Sequence, residues 1–393
     1  MEKTPLSQRK HIVLYGKTNS GKSSLFNKLI GQDYSIISEQ KGTTTDPVVK
    51  AAELIPYGPV AFIDTAGIMD ESALGELRVK KTQEAIRKSE FLIYVKDVFD
   101  KTPDPKIGLP YITVFTKCDL IDEKTLKKLK KENPGAVFVS NVDNSGIEEL
   151  KERLIESLRK LDSEEEQRLI SDLLPAGSTV IMVVPIDSEA PKGRLILPQV
   201  MLLRECLDCG IKSYVVRPSE LESALSDLKK VDLVITDSQA FFEVDAIVPK
   251  DIMLTSFSML LARQKGDFFE LLRGAEGIKN LKDGSTVLMH EGCTHNSNHE
   301  DIGRVKIPKL LQKHTGKSLN FEYYTGYDFP KDLSKYDLAI ACGNCMITKK
   351  AVLENIRDCK RNNVPITNYG IALAYLNGIL KRASEIFMQG RLV

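Results

Sequence analysis

The run Gly16-Lys17-Thr18-Asn19-Ser20-Gly21-Lys22-Ser23 fits the phosphate-binding pattern G-x-x-x-x-G-K-S/T, and it constrains this chain more than any other feature. The apolar stretch His11-Ile12-Val13-Leu14-Tyr15 before it reads as a buried strand, and Ser24 to Ile30 after it carries a helical pattern. A strand, a glycine loop and a helix in that order form a phosphate site. Gly16 and Gly21 permit close backbone approach, the N–H groups of Asn19 to Ser24 can wrap phosphate oxygens, and the helix N-terminus adds positive potential. Lys22 is placed to reach the outer phosphates and the Ser23 hydroxyl to bind Mg²⁺. The fold is thereby confined to an α/β class, and the ligand to a nucleotide.

Three further strand ends select guanine. Val60-Ala61-Phe62-Ile63 runs into Asp64-Thr65-Ala66-Gly67, a D-x-x-G sequence in which Asp64 can hold the Mg²⁺ hydration shell and the Gly67 N–H can meet a γ-phosphate. Tyr111 to Phe115 ends in Thr116-Lys117-Cys118-Asp119, where the Asp119 carboxylate can accept from N1–H and the 2-amino group of guanine, with Lys117 along the base. Val137-Phe138-Val139 leads to Ser140-Asn141, a loop that can cover the guanine oxygen. Over residues 8–160 these motifs resemble the translation-factor-like GTPases, in particular the tRNA-modification and ribosome-assembly members. The resemblance implies a switch segment at Gly42-Thr43-Thr44-Thr45-Asp46, with Thr44 rather than Thr43 on Mg²⁺, and a K⁺ site at Asn19. Lys22, Thr44 and Gly67 would then carry the hydrolysis of GTP. Thr116 stands where Asn is usual and Asn141 where Ala is usual, so altered base contacts are expected; Ile68 after Gly67 cannot orient water, so turnover is expected to be slow.

Lys and Arg number 55 against 54 Asp and Glu, a balance that points to neither nucleic acid nor an anionic membrane as partner. No apolar run is long enough to span a bilayer, and Met1-Glu2-Lys3-Thr4-Pro5 lacks a signal-like apolar region, so a cytoplasmic protein is expected. In that compartment the 7 cysteines are thiols or metal ligands.

The chain is expected to comprise a GTP-binding domain over 1–161, a charged linker over 162–174, an α/β dimerisation domain over 175–266 and a second α/β domain over 267–393. The continuous apolar strands of the last two predict parallel sheets covered on both faces. Cys206-Leu207-Asp208-Cys209 ends an amphipathic helix with no second ligand pair nearby, and reads as core packing.

The last segment is chemically richer. Thr286 to His290 reads as a strand followed by Glu291-Gly292-Cys293-Thr294-His295, and Leu338 to Ala341 as a strand followed by Cys342-Gly343-Asn344-Cys345. The 46 residues between His295 and Cys342 suffice for a crossover helix (Val305 to His314) and a strand (Asn320 to Tyr324), so both groups can meet at one sheet edge. Cys293, Cys342, Cys345 and His295 would suit tetrahedral zinc or an iron–sulfur cluster. A GTPase domain joined to C-x-H and C-x-x-C groups resembles the [FeFe]-hydrogenase maturation GTPases over the whole chain. That resemblance implies a [4Fe–4S] cluster on Cys293, Cys342 and Cys345, with His295 as C-x-H histidine. It further implies a transient diiron precursor received from two radical-SAM maturases and passed to apo [FeFe]-hydrogenase, and a homodimer formed through the middle domain. Ala341 replaces a histidine common in that family, which leaves His295, Glu300, Asp301 or an exogenous group for the fourth iron position.

Overall fold

The structure, a computed structural model, describes residues 4–31, 38–40, 47–65, 73–165, 168–186, 195–292 and 302–388. It divides into two compact units, 1–166 and 167–393.

The first unit contains, in chain order, β1 (Lys10–Tyr15), α1 (Lys22–Gly31), β2 (Ser38–Gln40), β3 (Val48–Leu54), β4 (Gly58–Asp64), α2 (Ala73–Lys88), β5 (Phe91–Asp97), β6 (Tyr111–Thr116), α3 (Glu123–Glu132), β7 (Val137–Phe138) and α4 (Ile147–Glu165). The sheet order is β2-β3-β4-β1-β5-β6-β7, with β3 antiparallel to both neighbours and the remaining pairs parallel. Alternate residues of the central strands fill both faces: Ile12, Leu14, Phe62 and Ile93 pack with Leu25, Leu29 and Leu154, while Val13, Ile63 and Leu92 pack with Ala85 on the other side. β1 lies between β4 and β5, so its carboxyl end opens where the connections diverge, the place at which such sheets hold ligands.

The second unit holds two four-stranded parallel sheets. The first comprises β8 (Thr179–Val183), α5 (Leu197–Asp208), β9 (Lys212–Val216), α6 (Leu221–Asp227), β10 (Leu233–Thr236), α7 (Phe241–Ile247), β11 (Met253–Ser256) and α8 (Phe257–Lys265), with strand order β11-β10-β8-β9. The second comprises α9 (Phe268–Ala275), β12 (Thr286–Glu291), α10 (Ile307–Thr315), β13 (Asn320–Thr325), β14 (Leu338–Ala341), α11 (Lys349–Arg361), β15 (Ile366–Asn368), α12 (Tyr369–Leu376) and α13 (Leu380–Ser384), in the order β13-β12-β14-β15. The chain is thus a P-loop α/β domain followed by two smaller parallel-sheet α/β domains.

These two sheets are not independent. One continuous core joins Val180, Ile235, Leu260 and Leu261 to Leu271, Leu288, Ala339 and Ile366. Polar ties cross the same boundary: Thr255 donates to Ala383 O at 2.9 Å, and Arg382 Nη2 donates to Val248 O at 3.0 Å. The segment expected as a linker is divided between elements. α4 continues to Glu165 and pairs Asp162 with Lys10, whereas Leu169, Ile170 and Leu174 are buried in the second unit, their approach fixed by Glu205 accepting the N–H groups of Leu169, Ile170 and Ser171. Among the described residues no helix is long and apolar enough to cross a membrane.

Candidate functional site

The glycine loop joins β1 to α1 with little slack. A Cβ on Gly16 would stand 2.1 Å from Val95 O, so β5 can lie against the loop only if this residue is glycine. Asn19 and Gly21 take left-handed φ values of +62° and +85°, which wind the loop into a concavity. Lys22 Nζ donates to Gly16 O at 3.0 Å and Lys17 O at 2.6 Å, placing the ammonium over the loop. Burial lowers its pKa, with Asp64 opposing. Burial likewise raises the pKa of Asp64, against a hydrogen bond with Ser23 and the charges of Lys22 and Lys50. Ser23 and Ser24 are exposed on the first turn of α1. Ser20 Oγ and Asp64 Oδ1 are buried with no hydrogen-bond partner among the described residues. Orphaned buried oxygens of this kind call for a ligand or ion. Ser23 and Asp64 together offer the hard oxygen donors Mg²⁺ takes, so the residues fit a magnesium nucleotide. Thr44 and Gly67 lie outside the described residues.

At the base end, the two residues that depart from the usual pattern both turn back to the phosphate loop. Thr116 is fully buried; its hydroxyl donates to Ser20 O at 2.7 Å, with Lys96 O at 3.2 Å. Asn141 Nδ2 lies 3.5 Å from Gly21 O, the outer limit of such a bond. Lys117 adopts φ +62° and reaches Asp97 Oδ2 at 3.4 Å, and Asp119 sits in the short turn Cys118–Leu120 that follows. Ser140 Oγ accepts the N–H of Val142 at 3.2 Å and of Asp143 at 3.5 Å, shaping the covering loop. The sequence pattern did not reveal the pair Lys17–Asp100 at 2.9 Å, which ties the loop to the turn after β5. Burial works against that carboxylate, but hydrogen bonds from Thr102 and Lys17 prevail and hold it at about 2.

In the second unit, β12 and β14 are adjacent parallel strands, with β13 and β15 outside them. Their carboxyl ends are therefore the point where the connections diverge, and Cys342 stands there, next to Gly292. Cys342 N donates to His290 O at 2.8 Å, continuing the ladder by one residue. Cys342 Sγ accepts from Gly292 N at 3.0 Å and Asn344 N at 3.3 Å. Asn344 has φ +53° and folds the loop over Gly292, where a Cβ would lie 2.8 Å from the Ile347 side chain. Glu291 and Arg304 pair at 2.9 Å, linking the two residues that bracket 293–301. Cys293 and His295, with Glu300 and Asp301, lie outside the described residues, and among those described no three metal-ligating side chains stand together. Two half-buried thiols, one already receiving two N–H bonds, nevertheless form a donor set suited to a soft metal centre.

Two residues near this loop carried no motif. His290, beside Cys342 on β12, is buried, with Nε2 at 3.1 Å from Gly326 O, and burial lowers its pKa to about 4. Lys265, at the end of α8, donates to the carbonyls of Asn344 and Cys345 at 3.1 Å each and of Ile347 at 2.8 Å. By contrast Cys206 is wholly buried and burial pushes its thiol up to about 12.

Residues 169–266 match a family model described as the hydrogen maturase F dimerization domain, and residues 269–386 match the hydrogen maturase F tetramerization domain. Together the two occupy more than half of the chain. The chain belongs to the hydrogen maturase F family. Residues 11–141 match a third model, described as a 50S ribosome-binding GTPase, so this family member carries a GTPase domain ahead of its two association domains. It is 34% identical over 240 residues to GTPase Der of Kosmotoga olearia, covering 52% of this chain and 54% of that protein. It is 32% identical over 166 residues to the tRNA modification GTPase MnmE of Treponema denticola, covering 38% and 35%. The chain thus spans only about a third to a half of the length of these curated relatives. Among solved structures, the G domain of the T. maritima FeoB iron transporter matches with 25% identity and TM-score 0.28, covering 38% of this chain and 98% of that one.

Proposed function

We propose that this hydrogen maturase F member is a GTP-binding and GTP-hydrolysing carrier in [FeFe]-hydrogenase assembly. It would hold a [4Fe–4S] cluster through Cys293, Cys342 and Cys345, receive a diiron precursor from two radical-SAM maturases and deliver it to the apo-hydrogenase. The observation that supports this reading is Cys342 at the end of β14, beside the end of β12, with Gly292 N and Asn344 N bonded to its Sγ; Cys293 follows Gly292 directly in the sequence. Backbone N–H bonds to sulfur are a means of supporting a cluster thiolate. When bound, the cluster would supply an iron with one exchangeable position for the precursor, which is cargo; His295 stands by that position or ligates it.

In the first unit, Lys22 and the loop from Asn19 to Ser24 would bind the phosphates, Ser23 and Thr44 would hold Mg²⁺ with Asp64 on its hydration shell, and the Gly67 N–H would meet the γ-phosphate. Thr116, Lys117, Asp119, Ser140 and Asn141 form the guanine end. Asn19 holds K⁺, and turnover is slow and stimulated by K⁺ over Na⁺. GTP acts as a switch through the contacts that differ between its states. The protein works in the cytoplasm without nucleic-acid or membrane partners. It associates first as a homodimer through the middle domain, where β9 is an edge strand with Tyr214 and Val215 exposed.

The test is EPR on anaerobically reconstituted, dithionite-reduced protein with iron and sulfide assays. A reduced [4Fe–4S] signal that changes on adding imidazole or cyanide is expected. About one tight zinc per chain and no iron would overturn the carrier reading in favour of a metal-stabilised tail on an RNA-directed GTPase.

A further inference from the structure

Lys265 belongs to the segment matched by the dimerization-domain model, yet its side chain ends among the carbonyls of the cysteine loop in the next domain. It is 6% exposed. An ammonium removed from water is unfavourable unless its protons are matched by acceptors, and a lysine in the last turn of a helix ordinarily meets water instead. Here the carbonyls of Asn344, Cys345 and Ile347 converge on Nζ at 2.8–3.1 Å.

That convergence has a consequence for the opposite side of the loop. In a trans peptide the C=O and the following N–H point in opposite directions. Drawing the carbonyls of Asn344 and Cys345 onto Nζ turns the N–H groups of Cys345 and Met346 away from α8. Asn344, held at φ +53°, turns its own N–H onto Cys342 Sγ at 3.3 Å. The loop is thus backed by a cation and lined with N–H donors, an arrangement that favours negative charge on the donor side. Hydrogen bonds to sulfur and nearby positive charge are among the levers that set the potential of an iron–sulfur centre.

We propose that Lys265 is a positioning residue for the metal centre: its ammonium fixes the Cys342–Ile347 loop from the neighbouring domain and raises the reduction potential of the cluster bound there. The functional half rests on the cluster reading above; the positioning half does not. Both are tested on the full-length protein with Lys265→Met and Lys265→Arg. In apo-protein, hydrogen exchange at the amides of Cys345 to Thr348 is expected to accelerate at least about tenfold in the Met variant and to stay near wild type in the Arg variant, the scale set by losing one well-buried hydrogen-bonding group. After reconstitution, an EPR-monitored redox titration is expected to show a roughly tenfold smaller ratio of reduced to oxidised cluster in the Met variant at a given potential, equivalent to about 59 mV for a one-electron couple.

Unchanged loop exchange in the Met variant overturns the positioning role, whatever the metal content. Faster exchange with no iron retained by the wild type keeps the positioning role and overturns the cluster reading with its potential shift. Faster exchange with an unchanged potential overturns the electrostatic half alone. If the Met variant loses protection throughout β8 and β10, Lys265→Gln is read against Lys265→Arg. Loop protection kept by Arg and lost by Gln supports the role, and equal behaviour in the two overturns it.

Discussion

Replacing Thr116 with valine isolates one hydroxyl. The two side chains are nearly isosteric, the site is fully buried, and Oγ1 lies 2.7 Å from Ser20 O and 3.2 Å from Lys96 O. A hydroxyl has a single proton to give, so the shorter contact receives it. Valine therefore leaves Ser20 O without that donor, at a cost of about 1–3 kcal/mol for an unsatisfied buried acceptor. Ser20 stands in the middle of the phosphate loop, so the loss acts where the nucleotide is held. If it is expressed wholly in binding, affinity for GDP falls about 5–150-fold. If it is expressed in stability, the melting temperature falls by roughly 2–4 °C per kcal/mol for a unit of this size. The assay is a titration with a fluorescent GDP analogue at fixed Mg²⁺ and salt, paired with calorimetry of nucleotide-free protein. Thr116→Ser retains the hydroxyl and serves as the control. A valine variant within about twofold of wild-type affinity and about one degree of its melting point would show that Ser20 O does not depend on this hydroxyl, because the expected penalty would be absent from both readouts.

A methyl on Gly16 would meet Val95 O at 2.1 Å, so Gly16→Ala is expected to abolish GDP binding measured by calorimetry; Gly135→Ala, which meets open space, should bind as wild type. Burial lowers the pKa of His11 from 6.5 to about 4, and its Nε2 sits 3.0 Å from Leu6 O. The unfolded chain therefore binds the extra proton between those values. The stabilisation is present above pH 6.5 and is lost as the pH falls toward 4, at up to about 1.4 kcal/mol per pH unit. His11→Gln should lose this slope in urea melts at pH 7 and 5, and parallel curves for the two proteins would count against it. Cys342→Ala is expected to reduce iron per chain in reconstituted protein. Cys206→Ala, in the core with its thiol pushed up to about 12, should lower stability by about 1–2 kcal/mol and leave the iron content unchanged.

How much of this was legible in the sequence depended on whether chemistry fixes residue types at fixed spacings. It does so for the phosphate loop, and β1, the loop and α1 lie where the motif requires. The neighbouring of the strands that precede the two cysteine groups was also readable, because the stretch between them holds the helix and strand needed to bring β14 beside β12; Cys293 and His295 themselves lie outside the described residues. Thr116 was not. Its departure from asparagine suggested altered base contacts, yet both side chains carry a donor, and only the packed distances show the hydroxyl on Ser20 O. Residues 162–174 read as a linker because charge dominates the run from Asp162 to Arg168. Glu205, far along the chain, instead fixes the backbone of Leu169 to Ser171, and no local pattern announces such a partner.

The same limit explains why two sheets that read as separate domains form one core. A strand apolar on both faces says that something covers it, not what. Leu288 and Ala339 of the second sheet pack in one core with Leu260 and Leu261 of α8, and Lys265 completes that helix by binding the cysteine loop. If the β9 edge is the association surface proposed above, a change there would have a path to the cysteine loop through α5 and α8, which pack against each other. It can act along that path only if Lys265 keeps different contacts in the two states, since a shift in equilibrium requires differential interaction. The relevant comparison is thus the position of one ammonium against three carbonyls in the associated and dissociated protein, rather than any larger rearrangement of the sheets.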